Sequence, residues 1–531
     1  MGTLHDVRRT IRYTVALAAF LRGTDTYENV DGIISQQVAD RESNFLFILE
    51  HAVFSAPDNP YHRMLRHAGY DLDGVRGLVA ERGLEGALDA LYDAGVYVTH
   101  DELRGRAPVR RGGLEFAVTP EDFDNPLIRP EFVASTSGST GTANRVQYRH
   151  TGTPQRAYLE VLIQMLGAGR PWALWQPPIG VYGAVVYAKH GKYFERIFLP
   201  TRIRLDVEHV QVVASVIAAK LRGKRLPWPK FAPRNNPIEI ARWLAQKVSD
   251  GTPAVLHCHP STAVRVCLTA REAGLDISGT LFYVTGEPFT PGKKAVLDSV
   301  GASSFVAYMA IELGMPVGLN CLTPRAGDDM HLMTYRLAMV TRERKNAANE
   351  TVEGMHFTIV NPLHGKLVIN WESTDYAKIE KRTCDCPLGK MGFTTHISEV
   401  QSYEKLTSEG VTFSGSWLYG LVETELPARF GGQLGDYQLA EEEDADGLSR
   451  VRIVVSPRVG SVDDREVIAA VIESLIASHG EAGAIMAQHW RDGGTLQVVR
   501  REPQATITNK VAPLRVRSRE MVSPSVKAST S

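Results

Sequence analysis

From about residue 132 to residue 400 the chain repeats one pattern. A short apolar run ends in a turn rich in Gly, Pro or Ser, and a stretch with helical apolar spacing follows. The runs are "RPWALWQ", "GTPAVLHC", "GTLFYVTG", "SSFVAYMA" and "GKLVIN". Strand, turn and helix in rotation predict stacked α/β layers, with chemistry at the carboxyl ends of the strands.

The chain has 531 residues, which is too long for one ordinary core and implies two or more domains. Hydrophobic content of 44% and charged content of 22% are those of a globular protein. Lys plus Arg number 59 against 60 Asp plus Glu, a net charge of −1. Such a balance gives no global case for nucleic acid or an anionic membrane, although a local patch still could bind either. The apolar run "YTVALAAFL" (13–21) is short and flanked by Arg, and fits a buried helix rather than a span or a signal. In "MGTLHD", Asp6 stands where a myristoylation signal needs Ser or Thr. Five cysteines, a sparse and odd count, favour a reducing, cytoplasmic setting with free thiols or a bound metal over a disulfide framework.

The predicted organisation is a helical N-terminal region (1–110), a large multi-layer α/β core (111–400), a small mobile α+β C-terminal domain (405–518) and a disordered tail (519–531). The helical region rests on "GVRGLVAERGLEGALDALYDAG", and "TPEDFDNPLIRPEF" is a connector. In the C-terminal part, "YQLAEEEDADGLSRVRIVV" reads as strands joined by an acidic hairpin, "REVIAAVIESLIASHG" as an amphipathic helix and "GTLQVVRRE" as another strand. The segment "KLRGKRLPWPKFAPRNN" (220–236) is basic, with three prolines. It reads as an exposed loop: either a solvated surface or a phosphate-attracting rim for a large anionic co-substrate.

After the apolar "FVA" comes the tract Thr136, Ser137, Gly138, Ser139, Thr140, Gly141. The two glycines let a ligand approach closely, and the hydroxyls and amides suit polyphosphate oxygens. A Walker loop needs GxxxxGK[ST]; the residues after Gly138 include no Lys up to Asn144, so that reading fails. Taken alone the tract also fits a flexible Ser/Gly loop.

The tract resembles the phosphate-loop signature TSG[ST]TGxPK of the adenylate-forming superfamily of acyl-CoA synthetases and adenylation domains, and other segments resemble that family in order. "VTGEP" (284–288) is similar to the Gly-Glu-Pro segment bordering the adenine in the phenylacetate–CoA ligase branch. "AYMAIELG" (307–314) is similar to "YGxTE", "ESTDYAKI" (372–379) to "RTGD", and "ATITNKVAPLRV" (505–516) to "TxxGK". The resemblance implies that residues 136–141, together with Gly286, Glu287 and Pro288, bind nucleotide. It implies that Tyr308 lies against the adenine, that Asp375 accepts hydrogen bonds from the ribose hydroxyls, and that Glu312 helps hold Mg²⁺. It implies catalytic roles for Thr136, Glu312 and Lys510, the last reaching the reacting carboxylate and α-phosphate. There are departures. Ala143 and Asn144 replace Pro and Lys, Ile311 stands where a Thr is usual, Asn509 replaces a Gly, and Gln401, Ser402 and Tyr403 occupy the hinge segment.

Cys321, His331, Cys384 and Cys386 match a common structural zinc set. Some ligases like phenylacetate–CoA ligase carry a similar arrangement; free thiols are the alternative. "HCHPS" (257–261) corresponds to the family's acyl pocket, with His257, Pro260 and Ser261 as walls and the other His as packing. Tyr182, in "QPPIGVYGAVVY", and Trp175 are further candidate walls, with core packing the favoured reading of Trp175.

The implied reaction converts a carboxylic acid, aromatic or cyclic by the branch, and ATP into acyl-AMP and pyrophosphate. The acyl group then passes to a thiol, coenzyme A or a carrier protein. Expected partners are the acid, ATP and the thiol, with no nucleic acid and no membrane. Two other readings stay open: a standalone adenylating enzyme serving a carrier protein or an amine, and a non-catalytic nucleotide-binding protein on this scaffold.

Overall fold

The structure is a computed structural model. It describes residues 13–128, 132–135, 145–148, 157–204, 207–314, 316–345, 351–402, 405–408, 411–414, 416–433, 435–503 and 514–516.

A 12-stranded mixed sheet organises the core. Its parallel half runs, in spatial order, Ser303–Tyr308, Leu281–Thr285, Val255–Cys258, Trp172–Trp175, Arg196–Leu199 and Lys230–Phe231. The sheet continues beyond Ser303–Tyr308 through the antiparallel strands Gly318–Asn320, Met330–Leu332, Thr395–Ser402, Trp371–Lys381, Thr351–Ile359 and Leu337–Lys345. The inner parallel strands are apolar on both faces, as expected where helices cover both, whereas the edge strand Lys230–Phe231 is exposed. Ala173, Trp175, Leu256, Cys258, Phe282 and Val284 enter one cluster, with the helices Arg41–Ile48, Leu72–Asp93 and Pro260–Glu272. Trp172, Leu174, Val255, Tyr283 and Phe305 enter the other, with the helices Tyr158–Leu166, Val181–Lys189 and Val207–Leu221. The apolar run at 13–21 is helical over 13–20 and buries Tyr13, Leu17 and Phe20 in that second cluster. Among the described residues, no helix is long and apolar enough to cross a membrane.

The α/β layers expected from the alternating pattern are present, as is a smaller α+β unit. There Tyr437–Glu443 and Ser449–Val455 form the hairpin, flanked by Leu496–Arg500 and Leu514–Val516. The helix Asp464–Gly493 packs on this sheet through Val467, Val471, Leu475, Ala487 and Trp490. It is broken at Gly480, as Leu72–Asp93 is at Gly83, where φ is +57° and +69° respectively. The unit touches the core through Arg265 Nη2, which donates to Gly493 O at 2.8 Å, and through Thr290, which donates to Glu443.

One expected strand is absent. "GKLVIN" is buried, but its backbone bonds scatter: Leu367 N donates to Phe123 O and Asn370 N to Thr358 Oγ1. Asn370 has φ +50°, a left-handed turn of the backbone at the end of the run. An apolar run reports burial, not pairing.

Two core histidines set an acid limit. Burial pushes His356 and His364 each down to about 4, outweighing Glu372 beside the first and the Lys366 carbonyl at the second. The unfolded chain takes up a proton at each near the ordinary 6.5, which the folded chain refuses until about pH 4. Their contribution is therefore complete above pH ~6.5 and is lost as pH falls toward 4, at about 1.4 kcal/mol per pH unit per histidine. Thermal melts across this window should show a falling Tm that is partly relieved in a His356→Gln/His364→Gln variant. A flat profile refutes the account.

Candidate active site

From Trp172–Trp175 the chain winds outward through Arg196–Leu199 and Lys230–Phe231, then returns to the opposite side of Trp172–Trp175 at Val255–Cys258. The winding reverses between these two neighbours, and such a reversal leaves a crevice outside the carboxyl ends of the strands. Register lines those ends up. Leu174 pairs with His257, Cys258 with Val284, and Thr285 with Ala307. Gly286 and Tyr308 therefore leave adjacent strands at the same level, ~4.8 Å apart in strand spacing.

Tyr308 Oη donates to Asp375 Oδ2 at 2.6 Å, joining segments 67 residues apart. Burial, and then the Asp375 charge, raise this phenol well above its ordinary value of 10.0, so it remains a donor at neutral pH. Asp375 follows Thr374, a β-branched residue at φ +64°. Such backbone persists only where its surroundings hold it, here Ser402 Oγ donating to Thr374 O at 2.9 Å. Glu312 lies in the turn after Tyr308, close enough for its charge to act on the phenol. Arg104 Nη2 donates to Glu312 Oε1 at 2.7 Å, with both side chains largely buried.

On the neighbouring strand end, Gly286 has φ +85°, and a Cβ there would sit 3.0 Å from His259 Nδ1, so only glycine turns the chain at this point. Glu287 is spent inside the protein. It accepts from Ser261 N at 3.0 Å and Ser261 Oγ at 2.8 Å, and lies 3.8 Å from Lys293 Nζ. The carboxylate thus caps the helix Pro260–Glu272 and neutralises a buried ammonium. What residues 286–288 offer a ligand is backbone rather than the Glu287 side chain.

The pocket residues divide. His257 stacks on Tyr283 with ring centroids 4.2 Å apart, and Tyr182 packs against the same cluster on that face of the sheet. Burial, and then His259, lower the His257 imidazole to about 3. Pro260 and Ser261 are buried at the start of a helix on the opposite face. Trp175 is core, its Nε1 donating to Ala232 O at 3.1 Å. The expectations on Thr136, Ser137, Gly138, Ser139, Thr140, Gly141 and Lys510 lie outside the described residues.

The four zinc-type donors converge. Cys321 Sγ and Cys384 Sγ are 3.8 Å apart, and Cys384 Sγ and Cys386 Sγ 3.3 Å. His331 Nε2 lies 3.0 Å from Cys386 Sγ and 3.4 Å from Cys384 Sγ. All donor atoms fall within 4.8 Å of one another, and the cysteines are free. A tetrahedral zinc with ~2.3 Å bonds to sulfur needs S···S edges of about 3.8 Å, so the set fits with little movement. His331 Nδ1 lies 2.8 Å from Phe393 O, which holds the proton on that nitrogen and leaves Nε2 to face the sulfurs. A Cβ at Gly389 would collide with Cys384 O and come within 2.7 Å of Cys384 Sγ, so the knuckle requires glycine.

Sequence reasoning missed Arg104, 208 residues from its partner, and Lys293. Neither sits in a motif, and only the fold brings them in.

No family model matches the chain, and no curated protein matches it. Solved structures do. A 2-hydroxyisobutyryl-CoA ligase in complex with 2-HIB-AMP and CoA is similar over 93% of this chain and 91% of its own, at 16% identity and a TM-score of 0.47. An artificially fused adenylation–PCP di-domain NRPS from Klebsiella oxytoca is similar over 90% and 86%, at 14% identity and a TM-score of 0.38. The anthranilate CoA ligase in complex with anthranoyl-AMP is similar over 91% and 96%, at 10% identity and a TM-score of 0.32.

Proposed function

We propose that the chain is an AMP-forming carboxylate ligase, with the nucleotide at the carboxyl rim of the parallel strands. The observation that carries this reading is the meeting of Gly286, Tyr308, Glu312 and Asp375 at one rim, from segments far apart in sequence. Asp375 would take the ribose hydroxyls, already oriented by the Tyr308 phenol, whose ring would lie against the adenine. The backbone of residues 286–288 would border the base, and Glu312 would hold Mg²⁺ through a carboxylate fixed by Arg104. The tract 136–141 would bind the phosphates.

In the first step a substrate carboxylate oxygen bonds to the α-phosphorus of ATP, the α–β bridging bond breaks, and pyrophosphate leaves. In the second a thiolate, most simply that of coenzyme A, attacks the acyl carbon and AMP departs. Lys510 would stabilise charge in the first step, carried on a C-terminal unit that shields acyl-AMP from water. The acid is taken to be aromatic or cyclic.

Pyrophosphate release over a panel of carboxylic acids, with and without CoA, tests this. Release with one acid class and CoA-dependent thioester formation support it. ATP–pyrophosphate exchange without a CoA product points to a carrier protein or an amine as acceptor. Nucleotide binding without exchange for any acid overturns the enzyme reading.

We propose in addition that Cys321, His331, Cys384 and Cys386 hold a structural zinc, four ligands leaving no open position. Purified protein should contain one equivalent of zinc. Cys386→Ser or prolonged chelation should lower Tm by on the order of 10 °C. Full-length protein free of zinc with an unchanged melt would refute the assignment.

A further inference from the structure

Eight large apolar side chains are exposed among the described residues, and five of them, Ile203, Ile217, Leu221, Trp228 and Phe231, fall between positions 203 and 231. Contacts with cations gather them in two groups, joined through the short step of chain from Trp228 to Phe231. Ile217 and Leu221 are one helical turn apart on Val207–Leu221 and share a face. Lys220 Nζ, from the same helix, sits 5.0 Å over the Trp228 ring, and Arg202 Cζ sits 4.8 Å over the Phe231 ring, beside Ile203. Phe231 belongs to Lys230–Phe231, the strand that ends the large sheet.

The exposed charges contributed by segments 202–204 and 217–231 have one sign, with Asp206 and Glu208 lying between the two in sequence. Arg202, Arg204, Lys220, Arg222, Arg225 and Lys230 are all exposed, and no Asp or Glu occurs from His209 to Asn236. The chain as a whole is balanced at −1, so this is a local excess. Cations here alternate with Trp, Phe, Ile and Leu. Arg and aromatic residues are common in protein–protein interfaces, but Lys is depleted there, and Lys220 and Lys230 stand beside Trp228 and Phe231. Lys and Arg around Trp and aliphatic tips are instead the composition of surfaces lying in the headgroup region of an anionic bilayer.

We propose that this face, formed by residues 202–204 and 217–231, docks the protein on an anionic lipid bilayer. The aromatic and aliphatic tips enter the headgroup boundary while the surrounding cations meet lipid phosphates. Charge complementarity selects the lipid class, and apolar insertion distinguishes a bilayer from a soluble anion. The inference is independent of the proposed reaction, and the sequence alone pointed to no membrane partner.

The test is co-sedimentation of the full chain with phosphatidylcholine vesicles, with and without phosphatidylglycerol, at ~0.1 M salt. Wild type should pellet with the anionic vesicles, stay soluble with the neutral ones, and be released at high salt. Lys220→Gln/Arg225→Gln/Lys230→Gln should weaken anionic binding by on the order of 100-fold. Trp228→Ser/Phe231→Ser, with every cation kept, should also weaken it. The salt and lipid dependence of wild type stands even if a variant misfolds. Failure to pellet with anionic vesicles overturns the proposal, as does equal pelleting with neutral ones. Wild-type binding by either variant, or complete release by free coenzyme A, overturns it too.

Discussion

Glu287→Ala should destabilise the protein by about 3–5 kcal/mol, the scale for stripping one partner from a buried pair. Glu287 and Lys293 have side chains only 1% and 2% exposed, so water cannot replace what the other loses. The variant leaves the Lys293 ammonium bonded to the Pro288 carbonyl, at 3.0 Å, without its paired carboxylate. It also removes the carboxylate that accepts from Ser261 N and from the buried Ser261 hydroxyl. Glu287→Gln, which keeps an acceptor and removes the charge, should fall between. The decisive comparison is Glu287→Ala/Lys293→Met. Removing both charges should recover much of the loss, because a buried pair is worth little over an apolar replacement while half a pair is costly. Denaturant melts measure all three. A double variant no better than the single would show that the charge on Lys293 is not the source of the cost. Since Glu287 ties the segment after Gly286 to Ser261 and Lys293, Glu287→Ala should also weaken nucleotide binding, whereas a role confined to stability leaves binding intact in the folded fraction.

The second large effect is on chemistry. Lys510→Ala should slow adenylate formation by about 10²–10³-fold, the scale for deleting one group aimed at developing charge. Conversion of supplied acyl-AMP and thiol should persist, because the role proposed for Lys510 belongs to the first step alone. Asp375→Ala provides the contrast. It removes the proposed ribose acceptor and takes from the buried Tyr308 phenol its carboxylate partner, so it should weaken nucleotide binding and impair both steps. Single-turnover pyrophosphate release, run beside acyl-AMP consumption, separates the two. Wild-type pyrophosphate release by Lys510→Ala would sink the assignment.

Legibility varied from element to element. Trp172–Trp175, Val255–Cys258, Leu281–Thr285 and Ser303–Tyr308 were each readable because a parallel strand buried on both faces is a short continuous apolar run. "GKLVIN" has the same texture and is not a strand, since pairing depends on a partner edge that composition does not reveal. Tyr308 and Asp375 stand in recognisable segments, yet their bond to one another follows only from the sheet. Arg104 on Glu312 and Lys293 beside Glu287 are products of three-dimensional proximity alone.

The amino-acid order determined by itself which residue types were available and how they were spaced: the apolar runs, the Cys/His quartet, the acidic groups at turn positions. These are local properties, set by periodicity and side-chain chemistry within a few residues. The tertiary structure decided which of those groups face each other, which carboxylates are consumed in internal pairs, and which cations are left with exposed aromatic rings at the sheet edge. Those outcomes come from long-range packing, where register and burial bring together residues that no sequence spacing relates.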